Sequence, residues 1–292
     1  MKIAIFGKKF DENFNSSLDS LFHKLCNYNA EIFIYEPFYK YLCSAKNFNI
    51  CSVNLYNKPE EITSDFNFVI SLGGDGTFLE AVRYIRNTGV PVIGINTGRL
   101  GFLANIASEE IEVSLDSLFA GNYDIEKRSL IEFISNLNPF SDFPYGLNEI
   151  TVQKRDTSLI TIEAYIDNIY LNTYWTDGLI ISTPTGSTAY SMSVGGPILA
   201  PDCKALIISP IASHNLTVRP IVITDNLEIK LKIEARAGYF MATIDSRSQE
   251  FKTGTEINLK LAKFSINMVK QKDHNIYNTI RKKLMWGADV RN

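Results

Sequence analysis

Apolar positions in the first 117 residues alternate between two spacings. Lys2-Ile3-Ala4-Ile5-Phe6-Gly7 is a short apolar run that stops at a glycine, the pattern of a buried strand. Leu18, Leu21, Phe22 and Leu25 then recur at the three- and four-residue spacing of one helix face. Glu31 to Tyr35 predicts a second strand and Phe68 to Leu72 another. A helix is predicted from about Phe78 to Arg86, with Leu79, Val82, Tyr84 and Ile85 on its buried side. Gly89 ends it, and Val90 to Ile95 starts a further strand. Strands and helices in alternation, joined by short connections, predict an α/β domain with a parallel sheet and right-handed crossovers. Ligands of such sheets gather in the loops beyond the carboxyl ends of the strands.

From about Gly121 the period becomes two. Ile160, Ile162, Ala164 and Ile166 alternate with polar residues, and Leu227 to Glu234 alternates apolar and charged without a break. That pattern predicts an antiparallel, sandwich-like β-rich domain whose strands have one wet face. Ile276, Ile280 and Leu284 return to a four-residue spacing and predict a closing helix. The expected divisions are therefore 1–120, 121–270 and 271–292, with no internal repeat and no Pro/Ser-rich linker.

Composition removes several classes of function. The chain has 292 residues, 45% of them hydrophobic and 21% charged, which is globular and leaves no disordered tract. A net charge of −3 and a pI near 5.7 argue against nucleic acid as a partner, so any phosphate is expected to be bound by local geometry. No apolar run approaches the roughly 18 residues needed to span a bilayer, and MKIAIFGKKF is too short and too mixed for a signal peptide. A cytoplasmic protein without a membrane partner is the expectation. Cys26, Cys43, Cys51 and Cys203 form no CxxC pair and are expected as reduced thiols. His23, His214 and His274 show no metal-ligand spacing, so no protein metal-ligand set is expected.

Two stretches carry candidate chemistry. The first is Gly73-Gly74-Asp75-Gly76-Thr77, at the end of the strand Phe68–Leu72. Glycines let backbone N–H groups approach phosphate oxygens at the start of a helix. Neither the GK[ST] ending of a P-loop nor a complete GxGxxG is present, and no lysine in the loop offsets phosphate charge. Asp75 would repel a phosphate. A carboxylate in that place makes sense as a proton acceptor for an attacking hydroxyl, or as a partner of a magnesium ion. The plain alternative is a helix cap.

The second stretch runs from Trp175 to Ser191, where a strand ending at Ser182 enters a loop crowded with hydroxyls. Ser and Thr hydroxyls suit ribose, amide and phosphate groups, and Tyr190 offers a face to a base. The plain alternative is a turn between strands. By two-residue alternation, Trp175 and Asp177 are expected on one face.

Together these stretches resemble the NAD kinases. The resemblance rests on GGDGT at 73–77, NTGRLGFLA at 96–104, IEKRSL at 125–130, LNEI at 147–150, TDGLIISTPTGSTAYSMSVGGPI at 176–198, RP at 219–220 and WG at 286–287. It implies transfer of the terminal phosphate of ATP to the 2′-hydroxyl of the adenosine ribose of NAD, with a divalent metal, usually Mg²⁺, and a homodimer or homotetramer. It also implies a final helix that returns to the first domain. Among site residues it implies Asp75 as acceptor or orienter of the hydroxyl, with Gly76 beside it in the dinucleotide site; Gly73, Gly74 and Thr77 of the same loop are further candidate binding residues. Asn148 and Glu149 would hydrogen-bond the dinucleotide, and Asp177 would contact its nicotinamide side or a neighbouring subunit. Thr188, Ala189, Tyr190, Ser191, Met192 and Ser193 would cradle it. Two positions depart from the pattern: Trp175, where Arg or His is common, and Arg247, where Gln is. Both are kept as candidate contacts, with Ser158 as a further one. A lipid or sphingoid-base kinase, or a dinucleotide sensor without activity, are the rival readings.

Overall fold

The computed structural model describes residues 1–46, 52–272 and 275–286, so Cys51, His274 and Gly287 lie outside the described residues. The chain forms two compact units, one of residues 1–127 with 266–292 and one of residues 128–265.

The first unit begins β1 (Lys2–Gly7), α1 (Asn15–Asn27), β2 (Glu31–Tyr35), α2 (Glu36–Lys46), β3 (Asn54–Tyr56), β4 (Phe68–Leu72), α3 (Asp75–Ile85), β5 (Val92–Ile95) and α4 (Ile111–Phe119). Its strands are parallel in the order β5-β4-β1-β2-β3. Buried Ile3, Ile5, Ile70 and Ile93 from the sheet meet Leu18, Leu21 and Leu25 of α1, so the predicted helix face is the one that packs. Two helices have weaker signals. In α4, Ile111, Val113 and Leu115 alternate as in a strand, yet Ile111, Leu115 and Leu118 are buried while Val113 is 70% exposed. Helical spacing, i, i+4 and i+7, therefore wins there. α3 starts at Asp75, about one turn before the expected Phe78, because its first turn carries no apolar residue to mark it.

The second unit is built on β6 (Tyr123–Ile134), β7 (Tyr145–Gly146), β8 (Glu149–Lys154), β9 (Ile160–Ile166), β10 (Ile169–Thr176), β11 (Gly178–Ser182), the turn α5 (Tyr190–Ser193), β12 (Ala205–Ile211), β13 (Ile221–Thr224), β14 (Ile229–Ala235), β15 (Tyr239–Ile244), β16 (Arg247–Lys252) and β17 (Glu256–Gln271). One antiparallel sheet runs β13-β12-β11-β8-β15-β16, and β10-β9-β14-β17 run side by side in another. Ile150, Val152, Leu179 and Ile181 of the first sheet share one core with Ile160, Ile162, Leu231 and Ile233 of the second. β14 keeps the expected alternation, with Ile229, Leu231 and Ile233 buried and Glu234 exposed. Central β11 is buried at every position, which is why Leu179–Ile181 reads as an unbroken apolar run rather than an alternating one.

The last part of β17 belongs to the first unit, where Met268 pairs in parallel with Val92 of β5. α6 (Ile276–Leu284) follows, with the Asn275 side chain accepting from the Tyr277 N–H at 2.9 Å as its cap. Cys43 and Cys203 are free thiols, but Cys26 is in a disulfide, which corrects the expectation of reduced thiols. The absence of a CxxC spacing cannot exclude pairing between cysteines distant in sequence.

Candidate active site

In the first unit the glycine loop joins β4 to α3, and Gly73 donates its N–H to Ile95 O at 3.0 Å. Of the three glycines only Gly73 uses a positive φ, of 151°. Gly74 and Gly76 face open space, since a Cβ on either would meet nothing within 4 Å. Room for close approach, rather than backbone freedom, is what those two supply.

Asp75 does not cap α3. It is the first residue of the helix, and its carboxylate turns towards residues 101–104. Oδ2 accepts the Phe102 N–H at 2.9 Å, and Oδ1 accepts the N–H groups of Leu103 at 2.9 Å and Ala104 at 3.0 Å. The approach leaves no space at Gly101, where a Cβ would lie 1.9 Å from Oδ1. The NTGRLGFLA motif thus serves as the socket of Asp75. Lys283 of α6 places Nζ 3.4 Å from Oδ2 and 4.4 Å from the centre of the Phe102 ring.

In the second unit Asn148 and Glu149 stand where the chain enters β8, and both are buried. A residue that the sequence reading passes over organises them. Asp245, at the β15–β16 turn with φ 52°, accepts the N–H groups of Leu147 at 3.0 Å, Asn148 at 2.8 Å and Glu149 at 3.2 Å. Burial pushes the Asp245 carboxyl up, against those three N–H groups and Arg247, which pull it down. Glu149 is pushed up to about 8, first by burial and then by the charge of Asp245, against a bond from the Tyr190 N–H. Its Oε2 is buried without a hydrogen-bond partner among the described residues. An acceptor left unmet in this way costs free energy until a ligand donor reaches it.

The hydroxyl-rich loop divides into a frame and a face. Thr183 Oγ1 bonds Leu147 O at 2.6 Å, Ser182 Oγ bonds Asn148 O at 3.3 Å, Ser187 Oγ bonds Pro184 O at 2.7 Å, and Ser191 Oγ pairs with Ser209 Oγ at 3.1 Å. All four residues are fully buried. Thr183 and Ser182 clamp the loop to Leu147 and Asn148, Ser187 closes it on itself, and Ser191 ties it to Ser209, so these hydroxyls are spent inside the fold. Buried Arg128 of the IEKRSL motif adds a bond to Thr185 Oγ1 at 3.4 Å. Thr188 and Met192 are half-buried, as is Ala189, while Tyr190 and Ser193 are exposed. The Tyr190 hydroxyl accepts from Gln153 at 2.9 Å.

The remaining candidates are scattered over the second unit. Asp177 sits between β10 and β11, where the chain leaves one sheet for the other, and is paired with Lys154 at 2.7 Å. Exposure still alternates here, with Tyr174, Thr176 and Gly178 buried, Trp175 exposed and Asp177 half-buried, although β10 itself ends at Thr176. Trp175 is 51% exposed at the end of β10. Arg247 donates to Phe143 O at 2.5 Å and Tyr145 O at 2.8 Å, so its guanidinium holds the segment before Asn148. Ser158 lies in the turn from β8 to β9, its N–H bonded to Asp156 at 2.8 Å. Asp245 and Lys283 are the partners that sequence reasoning missed: an Asp in a hairpin turn and a Lys on a terminal helix carry no local mark of a site.

Known families match both parts of the chain. The ATP-NAD kinase N-terminal domain matches residues 36–123 and the ATP-NAD kinase C-terminal domain matches residues 147–271. An NAD kinase of Bacteroides fragilis is 44% identical over 292 residues, covering all of both chains. An NAD kinase of Flavobacterium psychrophilum is 44% identical over 298 aligned positions, again covering both chains. Among solved structures, the yeast NADH kinase complexed with NADH shares the fold, with a TM-score of 0.88 at 20% identity over 100% of this chain and 89% of that one. An NAD kinase from Archaeoglobus fulgidus in complex with ATP has a TM-score of 0.76 at 25% identity over 98% of this chain and 99% of that one. With both domain models matched in order and full-length relatives 44% identical, the chain belongs to the ATP-NAD kinase family.

Proposed function

We propose that this chain transfers the terminal phosphoryl group of ATP to the 2′-hydroxyl of the adenosine ribose of NAD, giving NADP. The observation that carries the reading is Asp75, an anion held by three backbone N–H groups beside glycines that face open space. A sugar hydroxyl is a poor nucleophile, and phosphoryl transfer through a loose transition state depends mainly on positioning and charge neutralisation. An ionised carboxylate has about four acceptor positions. The N–H groups of residues 102–104 take three of them and Lys283 Nζ stands 3.4 Å from Oδ2 at the fourth, so a 2′-hydroxyl oriented by Asp75, which would give up its proton late, shares that edge of the carboxylate with the ammonium. The loop's own backbone and the open faces of Gly74 and Gly76 suit the ATP phosphates, with Gly73 and Thr77 shaping the turn.

Asn148 and Glu149 then hold the dinucleotide. Glu149, with its carboxyl at about 8, carries a proton at neutral pH and so can donate as well as accept towards a ribose. The surface of 188–193 adds Thr188, Tyr190 and Ser193, while Trp175 and Asp177 form an outer contact. A Mg²⁺ ion would arrive on the ATP phosphates, with a carboxylate such as Asp75 as a protein group able to hold it. Bound there, it would neutralise charge on the phosphate oxygens.

The family resemblance and the exposed Ile221 and Val222 on edge strand β13 support a homodimer or homotetramer. No helix among the described residues is long and apolar enough to cross a membrane; the cytoplasmic location is the expectation drawn from the sequence. The test is incubation with ATP, Mg²⁺ and NAD, followed by an NADP-specific dehydrogenase assay. NADP should accumulate with time and enzyme. Phosphorylation of a sphingoid base with no NADP would overturn the reading.

A further inference from the structure

The glycine loop has a charge problem that its own sequence leaves unsolved. Residues 68–82 contain Asp75 and Glu80 but no lysine or arginine. A nucleotide triphosphate beside them would meet an anion, and phosphoryl transfer needs positive charge at the oxygens. The tertiary structure brings a cation from the other end of the chain. Lys283, in the last turn of α6, reaches Asp75 Oδ2 with Nζ at 3.4 Å and lies 4.4 Å from the Phe102 ring centre.

The contact is not one that Asp75 needs. Its carboxylate is already fixed by three N–H bonds of 2.9–3.0 Å, whereas charge-assisted bonds to an ammonium close to about 2.7–2.9 Å. At 3.4 Å the ammonium makes a long hydrogen bond and ion pair with Oδ2, and its side chain is 31% exposed. An ammonium has three donors, so Lys283 can keep one towards Asp75 and turn the others outward. Phe102, itself nearly buried, bears on the same ammonium by a cation–π contact. The last turn of a helix also favours a cation, and Arg281 and Lys282 stand in that turn too.

We propose that Lys283 is the missing cation of the glycine loop: in the substrate complex its ammonium binds the terminal phosphate oxygens of ATP while staying beside Asp75. The inference rests on the phosphoryl-transfer reading above. It makes α6 part of the ATP site and gives the residue a role that the loop motif does not contain.

Three variants test it: Lys283→Met, which keeps length and removes charge, Lys283→Arg, which keeps charge, and Lys282→Met as the neighbouring control. Kinetics are measured with ATP and NAD varied separately, and ATP binding is measured by calorimetry without NAD. Lys283→Met should weaken ATP in both assays by about 10- to 100-fold, the scale of one charge-assisted hydrogen bond. The KM for NAD should stay within about twofold, because uniform loss of one substrate's contacts does not spread to the other. Lys283→Arg should restore most of the ATP affinity, and Lys282→Met should match the parent protein. Unchanged ATP binding in Lys283→Met, or equal damage to NAD and ATP that Arg fails to rescue, would reduce Lys283 to a structural partner of Asp75. Calorimetry separates the two readings. A parent protein that binds ATP but makes no NADP refutes the activity and still reports on Lys283, and a parent that binds no ATP refutes both.

Discussion

Glu149 gives the most quantitative forecast, because its cost can be worked from where it sits. The side chain is 7% exposed, its Oε2 has no partner among the described residues, and its carboxyl is pushed from 4.5 up to about 8 by burial and by the charge of Asp245. Folding therefore raises this pKa. Below about pH 4.5 the folded and unfolded chains both hold the proton, and the stabilisation is complete. As pH rises from there towards about 8, the unfolded chain is ionised while the folded chain keeps its proton, and stability falls by about 1.4 kcal/mol per pH unit. Above about 8 both forms are ionised and the loss is constant. Glu149→Gln keeps the shape and removes the titration. Between pH 6 and pH 8 the second unit of the parent should lose about 2 kcal/mol relative to the variant. Amide hydrogen exchange of β8 and β11, corrected for intrinsic exchange at each pH, reads the opening free energy of that unit alone. Groups that titrate identically in both proteins cancel in the difference. Parallel pH profiles for the two proteins would show that Glu149 is ionised in the folded state, and the account of a buried, proton-bearing Glu149 would fall.

Asp75→Asn should lower kcat by about 10²–10⁴-fold with NAD affinity largely kept, the usual scale for a positioned base, and parent-like turnover would mean that the carboxylate only holds residues 102–104. Gly101→Ala forces a methyl group to within 1.9 Å of Asp75 Oδ1, so it should cut kcat too, with a stability cost of about 1–3 kcal/mol, although its side chain needs to touch no substrate. Asn148→Ala should raise the KM for NAD about 5- to 150-fold, the equivalent of roughly 1–3 kcal/mol, and more than that for ATP; the reverse order would reassign the residue. In a Trp286→Phe background, NAD should quench or shift the emission of the half-exposed Trp175, and an unchanged spectrum with an unchanged KM for NAD in Trp175→Phe would remove Trp175 from the ligand's surroundings.

Much of the molecule is legible along the chain, and for a physical reason. Where one face of an element is buried, the period of its apolar residues records which face that is. Leu18, Leu21 and Leu25 announce α1 in this way, and Ile229, Leu231 and Ile233 announce β14. The change of period near residue 121 predicts an α/β half and an antiparallel half, while the two compact units divide at 127/128 and 265/266. The resemblance to the family also needed nothing but sequence, because GGDGT and the long block at 176–198 are local. Elements with mixed signals were harder. α4 alternates like a strand until packing decides that Val113 faces outward, and Asp177 reads as the continuation of a strand although the chain changes sheets there.

What only the tertiary structure decided is who partners whom. Sequence spacing cannot say that Asp75 spends three of its acceptor positions on residues 102–104, because that pairing depends on β4 and β5 lying side by side. Nor can it say that Asp245 gathers the N–H groups of 147–149, or that most hydroxyls of the 182–191 loop are used up inside the fold. The raised pKa of Glu149 arises from burial and a neighbouring carboxylate 96 positions away in the chain, and Lys283 meets Asp75 across 208 positions. Period and motif are properties of neighbours in sequence. Desolvation, charge pairing and the filling of lone pairs are properties of neighbours in space, and these govern how the residues named by the motif can act.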